Sequence, residues 1–309
     1  MKNKNFKLAF TDNTTFYGID AEGFYSAALL SSKSSSTFKL VPNVKSKIKL
    51  AKLDLGNILQ DADCTFSATG EGTLSQKSFE VEPIKINLSY CKRTFETDYL
   101  SQLMRPGSNN AEVMPATVES YLLDQVAKQT ANDLEKITWE GDTASVTYPL
   151  MRANGLIKKF LADAAVIDIA SPVALTSGNI VAKIGLVYDA IPATIASKED
   201  LVIYVGTAAW KLYKQALASA SAETNFMQSY NELFYLGVPV LEAPGLGANT
   251  IVAAQKANLL LLTDLVSDFE EVQVLPQGNV TGEPTVRMVG EFKFGVDYVY
   301  GSEIVLYRV

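Results

Sequence analysis

The last third of the chain carries an order of turns and apolar runs that limits the folds open to this sequence. A turn-rich segment at residues 237–254 is followed by an apolar run at residues 258–264. Two further strand-like runs follow, at residues 286–294 and 303–308, with Gly295 and Gly301 between them. Short apolar runs bounded by glycine, proline and asparagine are typical of strands, so this third of the chain predicts a sheet.

The complete absence of histidine restricts the chemistry available to the chain. It excludes Ser-His-Asp and Cys-His nucleophile arrangements and removes the commonest general base near neutral pH and the commonest transition-metal ligand. Lysine-based or carboxylate-based catalysis stays open. We predict a structural role, with no catalytic residue, no cofactor-binding residue and no metal ligand.

Two short motifs have chemical alternatives. The segment beginning at Gly245 and Gly247 is similar to the start of a dinucleotide-binding fingerprint, but Thr250 stands where the third glycine belongs and a strand follows instead of a helix. We interpret it as a turn whose glycines adopt backbone angles that other residues resist. The carboxylates of Asp264 and Asp268, or of Glu270 and Glu271, could pair for acid-base or metal chemistry, but without histidine and a recognisable binding loop we interpret them as solvated carboxylates at strand ends.

Charge is distributed unevenly along the chain. The net charge is -7; residues 1–100 hold 13 Lys+Arg and 11 Asp+Glu, and the remainder hold 14 and 23. One part of a molecule can therefore complement another copy, while the acidic majority argues against a dedicated nucleic-acid reader. No apolar stretch approaches the ~20 residues of a membrane span. Cys64 and Cys91 are too few for a disulfide framework and are expected to pack as small hydrophobes.

The first 82 residues predict two extended segments. Residues 1–30 contain Phe6, Phe10, Phe16, Tyr17, Phe24 and Tyr25 without a helical period, which indicates an extended arm, laid either across a neighbour or back on its own domain. Residues 31–82 predict a long hairpin, because residues 44–53 alternate apolar residues with lysine.

The hairpin also carries a run of lysines without an intervening acid. Three interpretations stay open: docking onto an acidic surface of another copy of the chain, contact with DNA, or a solvated edge that its lysines protect from wrong pairing. The run consists of Lys33, Lys39, Lys45, Lys47, Lys49 and Lys52.

The middle of the chain predicts helices. Apolar residues recur every three or four positions over residues 115–139, with Pro115 suited to the first turn and Gly141 to the end. Helices and strands then alternate over residues 150–277, including a strand at 201–205 and a helix from residue 208 to about 219.

In their order and spacing these segments resemble the major capsid proteins of tailed double-stranded DNA bacteriophages, which have the Hong Kong 97-type capsid fold. Residues 155–168, 188–192 and 201–213 are similar to the middle of that family, and residues 81–95 to the strand before its long spine helix. The resemblance covers about residue 36 to the C-terminus. It implies an α+β fold with an N-terminal arm (1–30), an E-loop hairpin (31–82), a peripheral domain (83–149) with the spine helix at about 115–139, an axial α/β domain (150–277), and a return to the peripheral domain (278–309).

The resemblance also implies a function. The chain would form pentamers and hexamers of an icosahedral head shell that encloses phage double-stranded DNA in the virion, after synthesis in the host bacterial cytoplasm, without enzymatic activity. Its partners would be itself, a portal, a separate scaffolding protein and, without sequence specificity, the packaged DNA, but no membrane. Predicted intersubunit contacts are Phe16, Tyr17, Lys45, Lys47, Lys49 and Lys52.

Three alternatives remain from the sequence. An encapsulin-type nanocompartment shell protein shares the fold. An α/β enzyme that uses lysine or carboxylate chemistry would need a pocket with strongly perturbed ionisable groups. A tail or decoration protein of a phage is disfavoured by the predicted spine helix and axial domain.

Overall fold

The computed structural model describes residues 14–16, 33–55, 59, 72–91, 116–220, 233–264, 272–277, 282–283 and 285–309. Its α-helices within these ranges are α1 Ala116–Glu140, α2 Leu156–Ala162, α3 Ile180–Asp189, α4 Ala193–Ala196 and α5 Thr207–Ala220. Its strands are β1 Thr14–Phe16, β2 Lys39–Val41, β3 Ile48–Leu55, β4 Gly72–Phe79, β5 Glu82–Cys91, β6 Ile167–Asp168, β7 Leu201–Val205, β8 Leu233–Tyr235, β9 Val238–Glu242, β10 Thr250–Gln255, β11 Leu259–Thr263, β12 Val272–Pro276, β13 Thr285–Tyr298 and β14 Val305–Arg308.

The chain divides into two compact units. The first unit comprises Met1–Ala28, Pro83–Thr130 and Leu265–Phe292, and the second comprises Leu29–Glu82, Ala131–Asp264 and Lys293–Val309. Each is described by itself below.

The long helix α1 confirms the helix predicted at residues 115–139. In the part of α1 that belongs to the second unit, Leu134 and Ile137 are buried, as their three-residue spacing requires. The helix ends where the amide of Gly141 donates to the carbonyl of Ile137 at 3.0 Å.

The second unit contains a mixed sheet in the order β6-β14-β10-β7-β9-β8. Every residue of β7 and of β10 is buried, because both strands lie in the interior of the sheet. Helices α3 and α5 pack on the sheet through Ile184, Trp210 and Tyr213. Burial raises the pKa of Tyr213 to about 12, and its hydroxyl donates to the carbonyl of Phe234 at 3.0 Å.

The last strand has partners that its sequence pattern did not indicate. β14 pairs antiparallel with β10 and parallel with β6. The apolar run of β14 is buried from Val305 to Tyr307, which fits an interior position in this sheet.

The long strand β13 has a different environment in each unit. Its first part pairs with β12 in the first unit, where β12 also pairs with β1. Its last part pairs with β11 in the second unit, where β11 also pairs with β2 in parallel. Burial alternates along the first part and becomes continuous from Phe294 to Tyr298, so one face is covered in the first part and both faces in the second.

Three local interpretations from the sequence were wrong in their physical detail. Neither Gly245 nor Gly247 has a positive φ; a Cβ at Gly245 would overlap the carbonyl oxygen of Glu135, so close packing requires the glycine. Asp264 is buried and its carboxylate lies 3.2 Å from Lys293 Nζ, so it is not solvated. Cys91 is a free and exposed thiol, so it does not pack as a hydrophobe, and Cys64 lies outside the described residues.

Candidate intersubunit surface

Strands β3 and β4 form a two-stranded antiparallel hairpin, separate from the two larger sheets. Its register extends from the pair Ile48 and Phe79 to the pair Leu55 and Gly72. Within the described ranges no third strand pairs with either edge. A two-stranded ribbon of this kind is marginally stable by itself and needs packing against another surface.

The hairpin exposes apolar side chains beyond its root. Leu50 is 42% exposed and Leu74 65%, and Leu59, which follows β3, is 94% exposed; Ile48, opposite Phe79 at the root, is 37% exposed. Burying apolar area contributes roughly 25 cal/mol per Å², so these side chains gain little in the isolated chain and would gain more against a partner surface.

The root of the hairpin, by contrast, is part of a core. Phe79 is 3% exposed and packs in one cluster with Val44, Leu260 and Leu262. The chain after β4 then passes close to β13, since a Cβ on Gly295 would lie 2.5 Å from the carbonyl oxygen of Glu80. The hairpin is therefore anchored at one end and exposed at the other.

The predicted contact lysines lie at the start of the hairpin and along β3. Lys45, Lys47 and Lys49 are exposed, and Lys45 and Lys47 precede β3. In the backbone register of β3, Lys49 is opposite Ser78 and Lys52 is opposite Ser75.

Lys47 already has a partner in its own chain. Its ammonium group donates to the Glu80 carboxylate, and this hydrogen bond, with the charge of Lys47, lowers the pKa of the exposed Glu80. Lys33, from the same run, forms an ion pair with Glu242 at 2.9 Å. Because both pairs are solvent-exposed, each contributes little to stability.

The two predicted aromatic contacts fall on the arm. Phe16 is the last residue of β1, which pairs antiparallel with β12, and the register partner of Phe16 is Val272. At Thr14–Phe16 the backbone is therefore paired within its own unit, as the alternative of an arm laid back on its own domain requires. Tyr17 lies outside the described residues.

A charged cluster at the hairpin root was not predicted. Asp297 on β13 lies 3.3 Å from Lys77 Nζ on β4 and 2.7 Å from Lys159 Nζ on α2. The ring of Tyr298 lies under Lys77, with Nζ 3.1 Å from its centroid, and its hydroxyl donates to Asp163 at 2.7 Å. These side chains are far apart in sequence and share no motif, so no local pattern could have identified the cluster.

A buried network anchors the segment just before β2. Ser34 donates through its hydroxyl to Glu135, and its backbone amide donates to the same carboxylate at 3.3 Å. Trp139 Nε1 donates to Ser34 Oγ at 2.7 Å, and Phe38 packs edge-on against Trp139 with centroids 5.7 Å apart. The period of α1 places Glu135 and Trp139 on one face, but nothing in the sequence names Ser34 as their partner.

The features described above are exposed surfaces and buried anchoring contacts. In the ranges that the structure describes, no three Cys, Asp or Glu side chains converge on a metal-sized site, and no helix is long and apolar enough to cross a bilayer. The strongest perturbations of pKa belong to buried tyrosines: burial raises the pKa of Tyr204 and of Tyr298.

Comparison of the fold with known structures gives a consistent result, although no protein-family model and no curated protein matches the sequence. A chain of the satellite phage P4 procapsid, whose structure includes the size determination protein, matches with a TM-score of 0.59 and 13% identity over 93% of this chain and 98% of that chain. A capsid chain of an empty GTA particle matches with a TM-score of 0.58 and 14% identity over 89% of each chain. A virus-like particle from Pyrococcus furiosus matches with a TM-score of 0.51 and 10% identity over 93% of this chain and 98% of that chain.

These matches extend over nearly the whole chain, and they confirm the predicted fold class. The protein has the mixed α+β fold of Hong Kong 97-type capsid proteins.

Proposed function

We propose that the chain is a major capsid protein, whose copies assemble into pentamers and hexamers of an icosahedral head shell around phage double-stranded DNA. The observation that carries the proposal is a fold shared over 89–93% of the chain with components of a procapsid and a capsid. The hairpin β3–β4 adds independent support, because it exposes apolar side chains that its own unit does not cover.

The mechanism is distributed self-association. A shell subunit binds several identical neighbours through modest contacts, and the closed arrangement makes them collectively strong. The exposed Leu50 and Leu74 supply apolar area at the hairpin, while Lys45 and Lys49 supply positive charge. Because residues 101–309 hold 14 basic and 23 acidic residues, a second copy offers the complementary charge.

The remaining predicted contacts and partners belong to this proposal. Phe16, Tyr17, Lys47 and Lys52 extend the overlap between subunits, with Lys47 exchanging its exposed partner Glu80 for one on a neighbour. A portal and a separate scaffolding protein direct closure, and the inner surface contacts DNA without sequence specificity. The protein is made in the host bacterial cytoplasm and ends in the virion.

Electron microscopy of the purified full-length protein, alone and with the scaffolding protein encoded near its gene, tests the proposal. We expect capsomers or closed shells. A species that stays monomeric by light scattering at high concentration under both conditions contradicts it.

The hairpin is tested by a deletion whose limits the structure sets. Removing residues 38–78 would delete Phe38 and Val44, which belong to buried clusters. Lys49 and Ser78 are register partners, so residues 50–77 can be replaced by the two-residue turn Asn-Gly. We expect a folded subunit that does not close shells; normal shells from this variant would remove the role of the hairpin.

The likeness to a virus-like particle favours a second candidate, an encapsulin-type nanocompartment. That match has a TM-score of 0.51, lower than those of the procapsid and capsid chains described above. Both candidates predict closed shells, so the contents distinguish them. Nuclease-protected double-stranded DNA in particles from the native source supports the capsid, and a packaged cargo enzyme supports the nanocompartment.

A further inference from the structure

One face of β4 becomes buried towards the hairpin root. On that face Ser75 is exposed, Lys77 is half-buried and Phe79 is buried, whereas Leu74, Gln76 and Ser78 on the other face are all exposed. Lys77 is thus where the hairpin first meets the body of the second unit. Its register partner on β3 is Leu50, which is 42% exposed.

Lys77 is held there by two different interactions. Its Nζ lies 3.3 Å from Asp297 Oδ1, without the alignment of a hydrogen bond, and 3.1 Å from the centroid of the Tyr298 ring. Asp297 and Tyr298 are adjacent on β13, a buried strand paired with β11. A desolvated cation is attracted to the face of an aromatic ring, so the pair of contacts defines one position for the ammonium group.

Neighbouring groups hold the two partners of Lys77, the Asp297 carboxylate and the Tyr298 ring, in place. Lys159 of α2 donates to Asp297 Oδ2 at 2.7 Å and to the carbonyl of Val296 at 2.6 Å. The Tyr298 hydroxyl donates to Asp163 at 2.7 Å, which orients the ring under Lys77. Burial lowers the pKa of Lys77, and the charge of Asp297 opposes that change.

We propose that Lys77, held between Asp297 and the Tyr298 ring, is a latch that fixes the direction in which the hairpin β3–β4 leaves its unit. Without Lys77, the ribbon is attached through the cluster of Val44 and Phe79 at its root, beyond which a two-stranded ribbon can change direction. The second point of attachment at Lys77 removes that freedom. The consequence for assembly rests on the proposed function: the latch presents the exposed Leu50 and Leu74 to a neighbouring copy in one orientation. A fixed orientation lowers the entropy cost of each contact between subunits.

Intrachain distances measured by double electron–electron resonance test the latch. Spin labels are attached through Gln76→Cys on the hairpin and Glu199→Cys on the body, both exposed, with Cys64 and Cys91 changed to serine. Dilution with unlabelled full-length protein restricts the signal to distances within one chain, whether or not the chains assemble.

We expect a narrow distance distribution for the parent chain and for the matched control Lys49→Met, which removes an exposed lysine from β3. Lys77→Met should broaden the distribution about twofold, since the hairpin then samples several orientations. If Lys77→Met loses its native circular dichroism, Asp297→Asn replaces it, and the same broadening is expected.

An unchanged distribution in a folded Lys77→Met or Asp297→Asn chain overturns the latch, whatever the protein assembles into. The consequence for assembly is measured separately by light scattering. If the competent orientation falls to about a tenth of the molecules, the initial rate of shell formation should fall at least about tenfold. A variant with a broadened distance distribution that assembles at the parent rate refutes that consequence for assembly. A parent chain that forms no shells refutes the proposed function, and the distance measurement alone then decides whether the latch exists.

Discussion

Ser34→Ala is expected to destabilise the second unit strongly, although the substitution removes only a single oxygen atom. Ser34 Oγ accepts from Trp139 Nε1 at 2.7 Å and donates to the Glu135 carboxylate. Ser34, Glu135 and Trp139 are 1%, 4% and 0% exposed, so water cannot replace the missing hydroxyl without rearrangement. Neither neighbour can move easily, because both belong to the rigid helix α1.

The magnitude follows from the two groups that lose a partner. A hydrogen bond to a charged group contributes about 1.5–3 kcal/mol, and a buried donor left unsatisfied costs about 1–3 kcal/mol. The two losses share one network and are not additive, and the backbone amide of Ser34 keeps its own bond to Glu135. We therefore expect a loss of about 3 kcal/mol in the free energy of unfolding.

Tryptophan fluorescence during denaturant unfolding measures this loss in the correct part of the chain. The protein has two tryptophans, Trp139 and Trp210, and both belong to the second unit. Ser36→Ala is the matched control, because Ser36 is exposed and its hydroxyl donates to the carbonyl of Lys33. We expect the control to change the free energy by about 0.5 kcal/mol or less. A loss below about 1 kcal/mol for Ser34→Ala, or a loss equal to that of the control, refutes the reasoning.

Three further predictions test other parts of the second unit. Gly245→Ala should cost about 1–3 kcal/mol in the same assay, since its Cβ would overlap the carbonyl oxygen of Glu135; a neutral effect would contradict the close approach. Leu236→Asn should raise the stability of the unassembled chain by about 0.5–1 kcal/mol, because Leu236 has φ +46 and is 72% exposed in a two-residue turn where asparagine is favoured; a destabilised variant would show that the leucine is needed within the chain. Burial alone would raise the pKa of Asp163, but a backbone hydrogen bond and the Tyr298 hydroxyl hold it below its ordinary value. The stability that Asp163 contributes is therefore present above about pH 4 and lost as the pH falls through its lower folded value, and Asp163→Asn should flatten that part of the stability profile; an identical profile in the variant would contradict the assignment.

The sequence was a good guide wherever local periodicity and end signals decide structure. The helix predicted at 115–139 is observed at Ala116–Glu140, and the strand predicted at 201–205 is observed at Leu201–Val205. Both are long or strongly apolar segments bounded by turn residues, and neighbouring residues alone specify them.

Pairing between strands that are distant in sequence could not be predicted from local sequence patterns. The pattern of residues 303–308 predicts a strand equally well in either sheet, and its pairing with β10 and β6 is fixed by the packing of the whole second unit. The lysines of residues 45–52 show the same limit. Their alternation predicts exposure, but not that Lys47 pairs with Glu80 across the hairpin root.

The sequence by itself determined the elements, the absence of histidine chemistry, the exposed lysine-bearing hairpin and the order of segments that resembles a shell protein. The tertiary structure alone decided which distant groups meet: Ser34 with Glu135 and Trp139, and Lys77 with Asp297 and Tyr298. The physical reason is that helices and strands follow from interactions within a few residues, whereas buried polar contacts depend on positions that only the packed chain brings within hydrogen-bonding distance.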